Sequence, residues 1–591
     1  MNSNRRSKVF IVGIDGGTLE LVKPWAEQGK LPTFARIMQN GVSGELMSTI
    51  QPISASSWSS FATGKNPGKH GILDFVRSTP FSYKVQFVNA SVRDGKTLWR
   101  ILSENGATVG VMNVPVTFPP EQVDGFLIAG MLSPSLGSKF TFPDGLIKEI
   151  NTNVGKYVID VDVPNISGRD KREIFLNKAM ESLKIRRDVV RYLYLKHKPD
   201  FFCVAFTESD RISHNFWKYM DEETPLPISD QTFSPNFSFK KKSLIKRNTE
   251  ELIKKKRRGI ISSGEREKYG TAILNLYIEL DNILAEVLSM IDDNTTLYII
   301  SDHGFGPVHK TVSVHRWLCH HGFMKMKNVR FGKLTDGFVR KFQEMLPPGA
   351  KSFVKKWMPS LANTAASQAS YAGIDWSQTK AYPVGHFSDI FINVEGRQPS
   401  GIVKPGREYE KLRDEITEKL YEFKDPDDNF NVVERVYKRE ELYHGKYLEN
   451  MPDLIIGWKD YNYLLMFNFP PSDDKSMIWT IPPTLSLLWG RTGCHKPKGI
   501  FMAFGSHIKT GVQVKNANIM DIAPTVLYEC GVPVPDDMDG RVLTEIFDDQ
   551  YVKSNPPQVM KSDDTGVSEY TYSDEETGKV EKRLKDLGYL T

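Results

Sequence analysis

Asp210 and His214, four residues apart in FTESDRISHNFW, have the spacing of a chelating pair. On a helical turn, i and i+4 share one face, so both side chains can hold the same metal ion. Asp302 and His303 are adjacent in IISDHGFGP. Neighbours at a strand end face opposite ways unless the backbone turns, and Gly304 and Gly306 permit such a turn. Asp15 closes the apolar run KVFIVGI, and His495 stands in GRTGCHKPKGIFMAFG just before another apolar run. Carboxylates and imidazoles without thiolates suit zinc or manganese and speak against a structural zinc site. With a serine hydroxyl these donors suffice for two ions with open positions. Two ions about 3.5–4 Å apart clamp the attacking and leaving oxygens of an in-line displacement at phosphorus.

The serine comes from QPISASSWSSFATGKNPGKHGILDF, which holds Ser54, Ser56, Ser57, Ser59, Ser60 and Thr63. Hydroxyl content alone does not choose among them. The helical pattern SSWSSFATG puts Ser54 or Ser56 near a helix N-terminus, where free N–H groups and the helix dipole attract a phosphoryl oxygen. Metal coordination would favour the alkoxide of either one. His70 in the same segment reads as a structural turn residue, and His315, His320 and His321 belong to no motif. GIDGGT at 13–18 lacks the lysine of a phosphate-cradling P-loop, so Asp15 is its informative residue.

The elements that must carry these groups are short apolar runs separated by helical patterns. Lys8–Ile14, Thr108–Asn113, Phe201–Phe206 and Thr296–Ile300 read as buried strands. Leu31–Asn40, Thr97–Asn105, Arg172–Leu195 and Tyr269–Ile291 read as helices. That alternation predicts an α/β fold with a mainly parallel central sheet covered by helices on both faces. Asp15, Asp210 and Asp302 each follow a strand, and open parallel sheets bind ligands beyond the carboxyl ends of their strands.

The chain of 591 residues carries a formal charge of +5, with 40% hydrophobic and 25% charged residues, as an ordinary globular protein does. Its four cysteines, Cys203, Cys319, Cys494 and Cys530, form no CxxC pair, which favours a reduced compartment. No signal-peptide core or run of about 20 apolar residues is seen, so a cytoplasmic protein is the expectation. We divide the chain into catalytic core segments 1–223, 269–325 and 376–545. A basic insertion at 224–268, a cap-like insertion at 326–375 and a polar tail with a short helix at 546–591 interrupt and follow them. The run KKKSLIKRNTEELIKKKRR at 240–258 reads first as a solvated insertion and second as a contact for anionic lipid or nucleic acid. No specific nucleic-acid partner is predicted.

These residues resemble the type I phosphodiesterase/nucleotide pyrophosphatase branch of the alkaline phosphatase superfamily. The matching pieces are GIDGGT (13–18), PISASSWSSFATGKNPGKHGILDF (52–75), TESDRISHNFWKYMD (207–221), SDHGFGP (301–307) and the TGCH and GIFMAFG stretches around 492–505. INVEGRQPSGIV and NIMDIAPTVLYECGVPVPDDMDGRVL add to them. The resemblance covers most of residues 8–545. It implies an alkaline-phosphatase-like fold and two divalent ions, zinc before manganese. One ion would be held by Asp210, His214 and His495, the other by Asp15, Asp302, His303 and the nucleophile. Counting back from the Ala-Thr-Gly tripeptide puts that nucleophile at Ser54, where the family commonly has threonine. The implied activity is hydrolysis of a small phosphodiester or nucleotide pyrophosphate through a covalent phospho-Ser54 intermediate. Ser56-Ser57 replaces the Pro-Asn of nucleotide pyrophosphatases, and the sulfatase nucleophile pattern is absent. A phosphomonoesterase or phosphotransferase on the same fold is the alternative, and a non-catalytic phosphate-binding protein is the alternative of another class.

Overall fold

The computed structural model describes residues 7–78, 82–83, 85–161, 170–220, 263–308, 310–327, 373–465, 476–480, 493–563 and 570–586. The basic run 240–258 and nearly all of the two expected insertions lie outside the described residues.

Nine strands form the central sheet. In chain order they are β1 (Lys8–Ile14), β2 (Val42–Met47), β3 (Val109–Met112), β4 (Gly125–Ile128), β5 (Thr141–Phe142), β6 (Phe201–Phe206) and β7 (Thr295–Ile300), then two late strands. Between β7 and those two in the chain come strands of smaller sheets, among them β8 (Gly304–Pro307), β9 (Ala381–Val384), β10 (Asp389–Ile392), β11 (Val433–Lys438), β12 (Leu454–Trp458) and β13 (Gly493–Lys496). The late strands of the main sheet are β14 (Lys498–Phe504) and β15 (Val512–Asn518). The spatial order is β15-β2-β14-β7-β1-β6-β3-β4-β5. Pairing is parallel except where β14 meets β2 and β7 and where β5 meets β4. The fold is therefore the mainly parallel α/β arrangement expected from the sequence.

β1 lies at the centre, flanked by β7 and β6, both parallel to it. All three are buried on both faces, which is why they read as unbroken apolar runs. Successive residues of a strand point to opposite faces. On one face Phe10 packs against Phe202 and against Tyr194 of the long helix α2 (Asp170–His197), with ring centroids 4.8 and 5.1 Å away. On the other, Gly13 makes room for Trp58 of α1 (Ser54–Thr63): a Cβ there would lie 2.5 Å from the indole. The α2 face also carries α3 (Glu208–Met220) and α4 (Ala272–Met290). The α1 face carries the helix Ile522–Glu529, whose last residue is held by β7.

A second hydrophobic core lies under the antiparallel sheet β9-β10-β12-β11, backed by the helix Arg407–Tyr421. It joins the main body at the carboxyl rim through β8 and β13. Near the C-terminus, the helix Asp574–Asp586 buries Val580 and Leu584 against this core. Among the described residues, no helix is long and apolar enough to cross a membrane.

Glu529 is buried in the face beneath β7, where Tyr298 Oη donates to Oε2 at 2.6 Å and Thr296 Oγ1 donates to Oε1. Burial pushes its carboxyl from 4.5 up to about 7, and the two hydroxyl bonds only partly offset this. The folded chain thus binds this proton more tightly than the unfolded chain. The resulting stability is full below pH 4.5 and is lost as pH rises to about 7. At about 1.4 kcal/mol per pKa unit the loss is on the order of 3 kcal/mol. Glu529→Gln keeps the shape and removes the titration. Denaturant unfolding from pH 4.5 to 8 is expected to show that the wild type loses stability relative to this variant as pH rises. A difference that does not change with pH would contradict the buried-acid account.

Candidate active site

Because β7, β1 and β6 are neighbours and parallel, their carboxyl ends lie side by side, about 4.8 Å apart. Asp15 is the first residue after β1, and its N–H continues the ladder to Phe206 O at 3.1 Å. Gly16 then takes φ +67°, a turn that suits glycine. It brings the Gly16 N–H to Asp302 Oδ1, just past β7, at 3.2 Å. Ser301 ties the same two strand ends: its Oγ donates to Ile14 O and accepts from Gly17 N, at 2.6 and 2.7 Å. Asp210 stands in the first turn of α3, one turn before His214. His495 arrives from far along the chain because β13 pairs antiparallel with β8, opposite Phe305. Ser54 is the first residue of α1. The preceding Ile53 has no side chain to cap the helix N–H groups.

The structure gathers all seven predicted residues. The ligand atoms of Asp210, His214 and His495 lie within 4.8 Å of one another, and so do those of Asp15, Asp302 and His303. Ser54 Oγ is 3.3 Å from His303 Nε2 and 3.5 Å from Asp15 Oδ1. The two triads adjoin, with the His303 and His495 rings stacked at 3.7 Å. Ser56, the competing hydroxyl, is buried without a hydrogen-bond partner and reaches neither triad by one.

Each imidazole turns Nδ1 toward a backbone carbonyl: His214 to Gly493 at 2.9 Å, His303 to Gly304 at 3.0 Å and His495 to Pro52 at 2.8 Å. A carbonyl only accepts, so Nδ1 carries the proton and Nε2 presents its lone pair inward. His214 Nε2 and His495 Nε2 face each other at 3.0 Å, with Asp210 Oδ1 3.2 and 3.1 Å away. Two facing lone pairs beside a carboxylate make a donor set for a cation, oriented as metal-binding histidines are.

The electrostatics agree. Burial, then Asp302 and Asp210, hold the Asp15 carboxyl well above the usual range. Burial and Asp210 push Asp302 up to about 7, although the Gly16 N–H and Ser54 oppose the rise. For Asp210 burial acts upward but loses to His214, His495 and Arg211, which hold it well below. Burial, the neighbouring His303 and His214 keep His495 neutral. Asp302 Oδ2 is buried and has no hydrogen-bond partner. Three clustered carboxylates, an orphaned oxygen and inward lone pairs fit a divalent cation at each triad.

Two features were not evident from the motifs. Arg211 is buried between Asp160, at 2.8 Å, and Asp210 Oδ2, so it fixes the second oxygen of that carboxylate. Its position next to Asp210 in the motif was the available signal. Trp58 Nε1 donates to Asp15 Oδ2 at 3.4 Å. The backbone bends at Asp302 and His303, and Gly304 and Gly306, neither at positive φ, also allow close contact. A Cβ on Gly304 would lie 2.0 Å from Lys498 O, and one on Gly306 2.3 Å from the Lys496 side chain. His70 is structural: its Nδ1 accepts from Ile72 N and its Nε2 donates to Ser60 Oγ. Burial and Arg93 push its pKa down to about 3.

The type I phosphodiesterase / nucleotide pyrophosphatase family profile matches residues 9–477, and the chain belongs to that family. It is an enzyme acting on phosphoric ester bonds. Ser54 and five of the six clustered candidate ligands fall inside the matched span, while His495 lies beyond it. Among solved structures, murine ectonucleotide pyrophosphatase/phosphodiesterase 5 is similar at 13% identity and a TM-score of 0.44, over 92% of this chain and 100% of that one. Phosphonoacetate hydrolase from Sinorhizobium meliloti 1021, in complex with phosphonoformate, is similar at 12% identity and a TM-score of 0.49, over 89% and 95%. No curated protein matches the chain.

The close contact of β8 with Lys498, at the start of β14, yields a test. Gly304→Ala should force β8 away from Lys498 and displace His303 and His495 relative to each other. Misplacement on the ångström scale costs about 100-fold in rate. We expect phosphoester turnover to fall by that order while circular dichroism keeps the native spectrum. Full activity in Gly304→Ala would show that the close approach does not position the site.

Proposed function

We propose that this enzyme hydrolyses a phosphodiester through Ser54 as nucleophile and two divalent ions, zinc first and manganese second. Asp210, His214 and His495 would hold one ion; Asp15, Asp302, His303 and Ser54 would hold the other. The observation that carries this reading is the position of Ser54 Oγ against His303 Nε2 and Asp15 Oδ1, at the uncapped start of α1. When bound, the ions supply Lewis-acid stabilisation of the serine alkoxide and of the leaving oxygen.

The chain's own residues do the rest. The start of α1 directs N–H groups at the non-bridging phosphoryl oxygens. Ser54 Oγ forms a bond to phosphorus as the ester oxygen departs as an alcohol. Water then cleaves the Oγ–P bond and returns the serine hydroxyl, leaving a phosphomonoester. Carbonyls of Gly493, Gly304 and Pro52 keep the three imidazoles from rotating during both steps. Arg211 keeps Asp210 in one orientation.

Ser54→Ala is expected to lower turnover of bis(4-nitrophenyl) phosphate on the order of 10³-fold or more, with folding unchanged. Full activity in that variant would remove Ser54 from the mechanism. The wild type should prefer this diester to 4-nitrophenyl phosphate; the reverse preference would favour a phosphomonoesterase. Elemental analysis should find two equivalents of metal in the wild type and about one in His214→Ala. Chelation should abolish activity, and add-back of zinc against manganese should rank the two.

A further inference from the structure

A cavity of about 250 Å3 is lined by Ile53, the residue before Ser54, and by Gly385 and Asp389 of the β9–β10 hairpin. Asp74 and Phe391 complete much of its wall. Asp74 and Asp389 are 8% and 4% exposed, and neither forms an ion pair among the described residues. Asp74 accepts from the N–H groups of Phe75 and His386, both at 2.6 Å. Asp389 accepts from Gln51 Nε2 and Ile456 N, at 2.8 and 3.1 Å, both on Oδ1. Its Oδ2 receives no hydrogen bond from a described residue, although the side chain lines the cavity. Arg77 also lines it, from a half-buried position, and pairs with neither acid.

Two buried carboxylates facing a cavity, with the Arg77 guanidinium on its wall paired to neither, are expensive unless a further positive group approaches them. Burial pushes Asp74 up to about 6 and Asp389 to about 7, and Asp74 adds to the rise at Asp389. The cavity is tied to the reaction site by consecutive residues. Gln51 holds Asp389, the Pro52 carbonyl accepts from His495, Ile53 forms the wall, and Ser54 meets the second triad. Gly385, which also lines the cavity, precedes His386, whose ring centroid is 6.4 Å from that of His495.

We infer that this cavity receives an ammonium group on the organic part of the substrate, held by Asp389 and Asp74, so that the preferred phosphoesters carry a primary amine. The inference rests on the reading of Ser54 as the nucleophile of a phosphodiesterase.

Two esters of nearly equal shape test it: 4-nitrophenyl 2-aminoethyl phosphate and 4-nitrophenyl propyl phosphate. The metal-replete wild type should favour the amine in kcat/KM by about tenfold, the scale of a charged hydrogen bond. Asp389→Asn should bring that ratio close to one. Because the readout is a ratio, a loss of folded enzyme cancels; Asp74→Asn serves as the second variant if Asp389→Asn does not fold. A wild-type ratio near one, or a ratio unchanged in the variants, would overturn the inference while leaving the phosphodiesterase reading intact. If neither ester is turned over, that reading fails instead, and binding of ethanolamine decides the pocket alone. Binding to the wild type that is lost in Asp389→Asn upholds the cation site, and no binding to the wild type overturns it.

Discussion

Burying Asp15, Asp210 and Asp302 side by side costs free energy that hydrogen bonds alone do not return. Each loses its hydration, and each repels the others across a medium less polar than water. The parallel strands β7, β1 and β6 impose that closeness, since their carboxyl ends cannot separate without breaking the sheet. What surrounds the cluster acts to contain it. The Gly16 N–H and Ser54 partly offset the cost at Asp302, and Arg211 with two imidazoles does so at Asp210. The carboxyls of Asp15 and Asp302 nonetheless stay raised, with His303 and Arg211 offsetting only part of the cost at Asp15. That remaining imbalance is what a cation would relieve.

The same constraint explains the rigid frame of backbone contacts. A divalent site needs its imidazoles in one tautomer and one orientation, and three carbonyls provide both. Those carbonyls come from Pro52, Gly304 and Gly493, which no helix carries. Two of them belong to β8 and β13, a ladder of four residues on each side. Glycine lets β8 come close to Lys496 of β13 and to Lys498 at the start of β14. Trp58 works from below: its ring fills the space over Gly13, and its N–H reaches Asp15. Sheet, helix α1 and the first carboxylate are thereby fixed relative to one another.

Much of this was legible in the sequence because burial on both faces leaves a plain mark. Lys8–Ile14 and Phe201–Phe206 read as strands with the bounds the structure gives them. Spacing marked Asp210 and His214, since a helix puts them on one face. Between Ser54 and Ser56 the sequence left a choice, which depends on where a helix begins in space. α1 begins at Ser54, and that residue's hydroxyl is the one that meets His303 and Asp15. The close approach at Gly304 was not legible, because a turn and a close contact call for the same residue type. Only the distance to Lys498 O distinguishes them. The second sheet was not legible, because its ties to the site run between residues hundreds of positions apart. Gln51 and Asp389 illustrate this, and no local pattern announces their bond.

That tie also bears on how chemistry and selectivity are divided. The groups proposed to act on phosphorus come from the strand ends of the main sheet, from β8 and β13, and from the starts of α1 and α3. The second sheet contributes none of them, but its hairpin turns toward the rim at Gly385 and Ser388, each with positive φ. Asp74, twenty residues past Ser54, holds that turn by the His386 N–H. A change in the second sheet could therefore alter what fits beside Ser54 without moving a metal ligand. Conversely, the strand-end carboxylates cannot change without disturbing one another. Variation in substrate among proteins built this way would then be concentrated in the hairpin and the residues facing it, while the reaction at phosphorus stays the same.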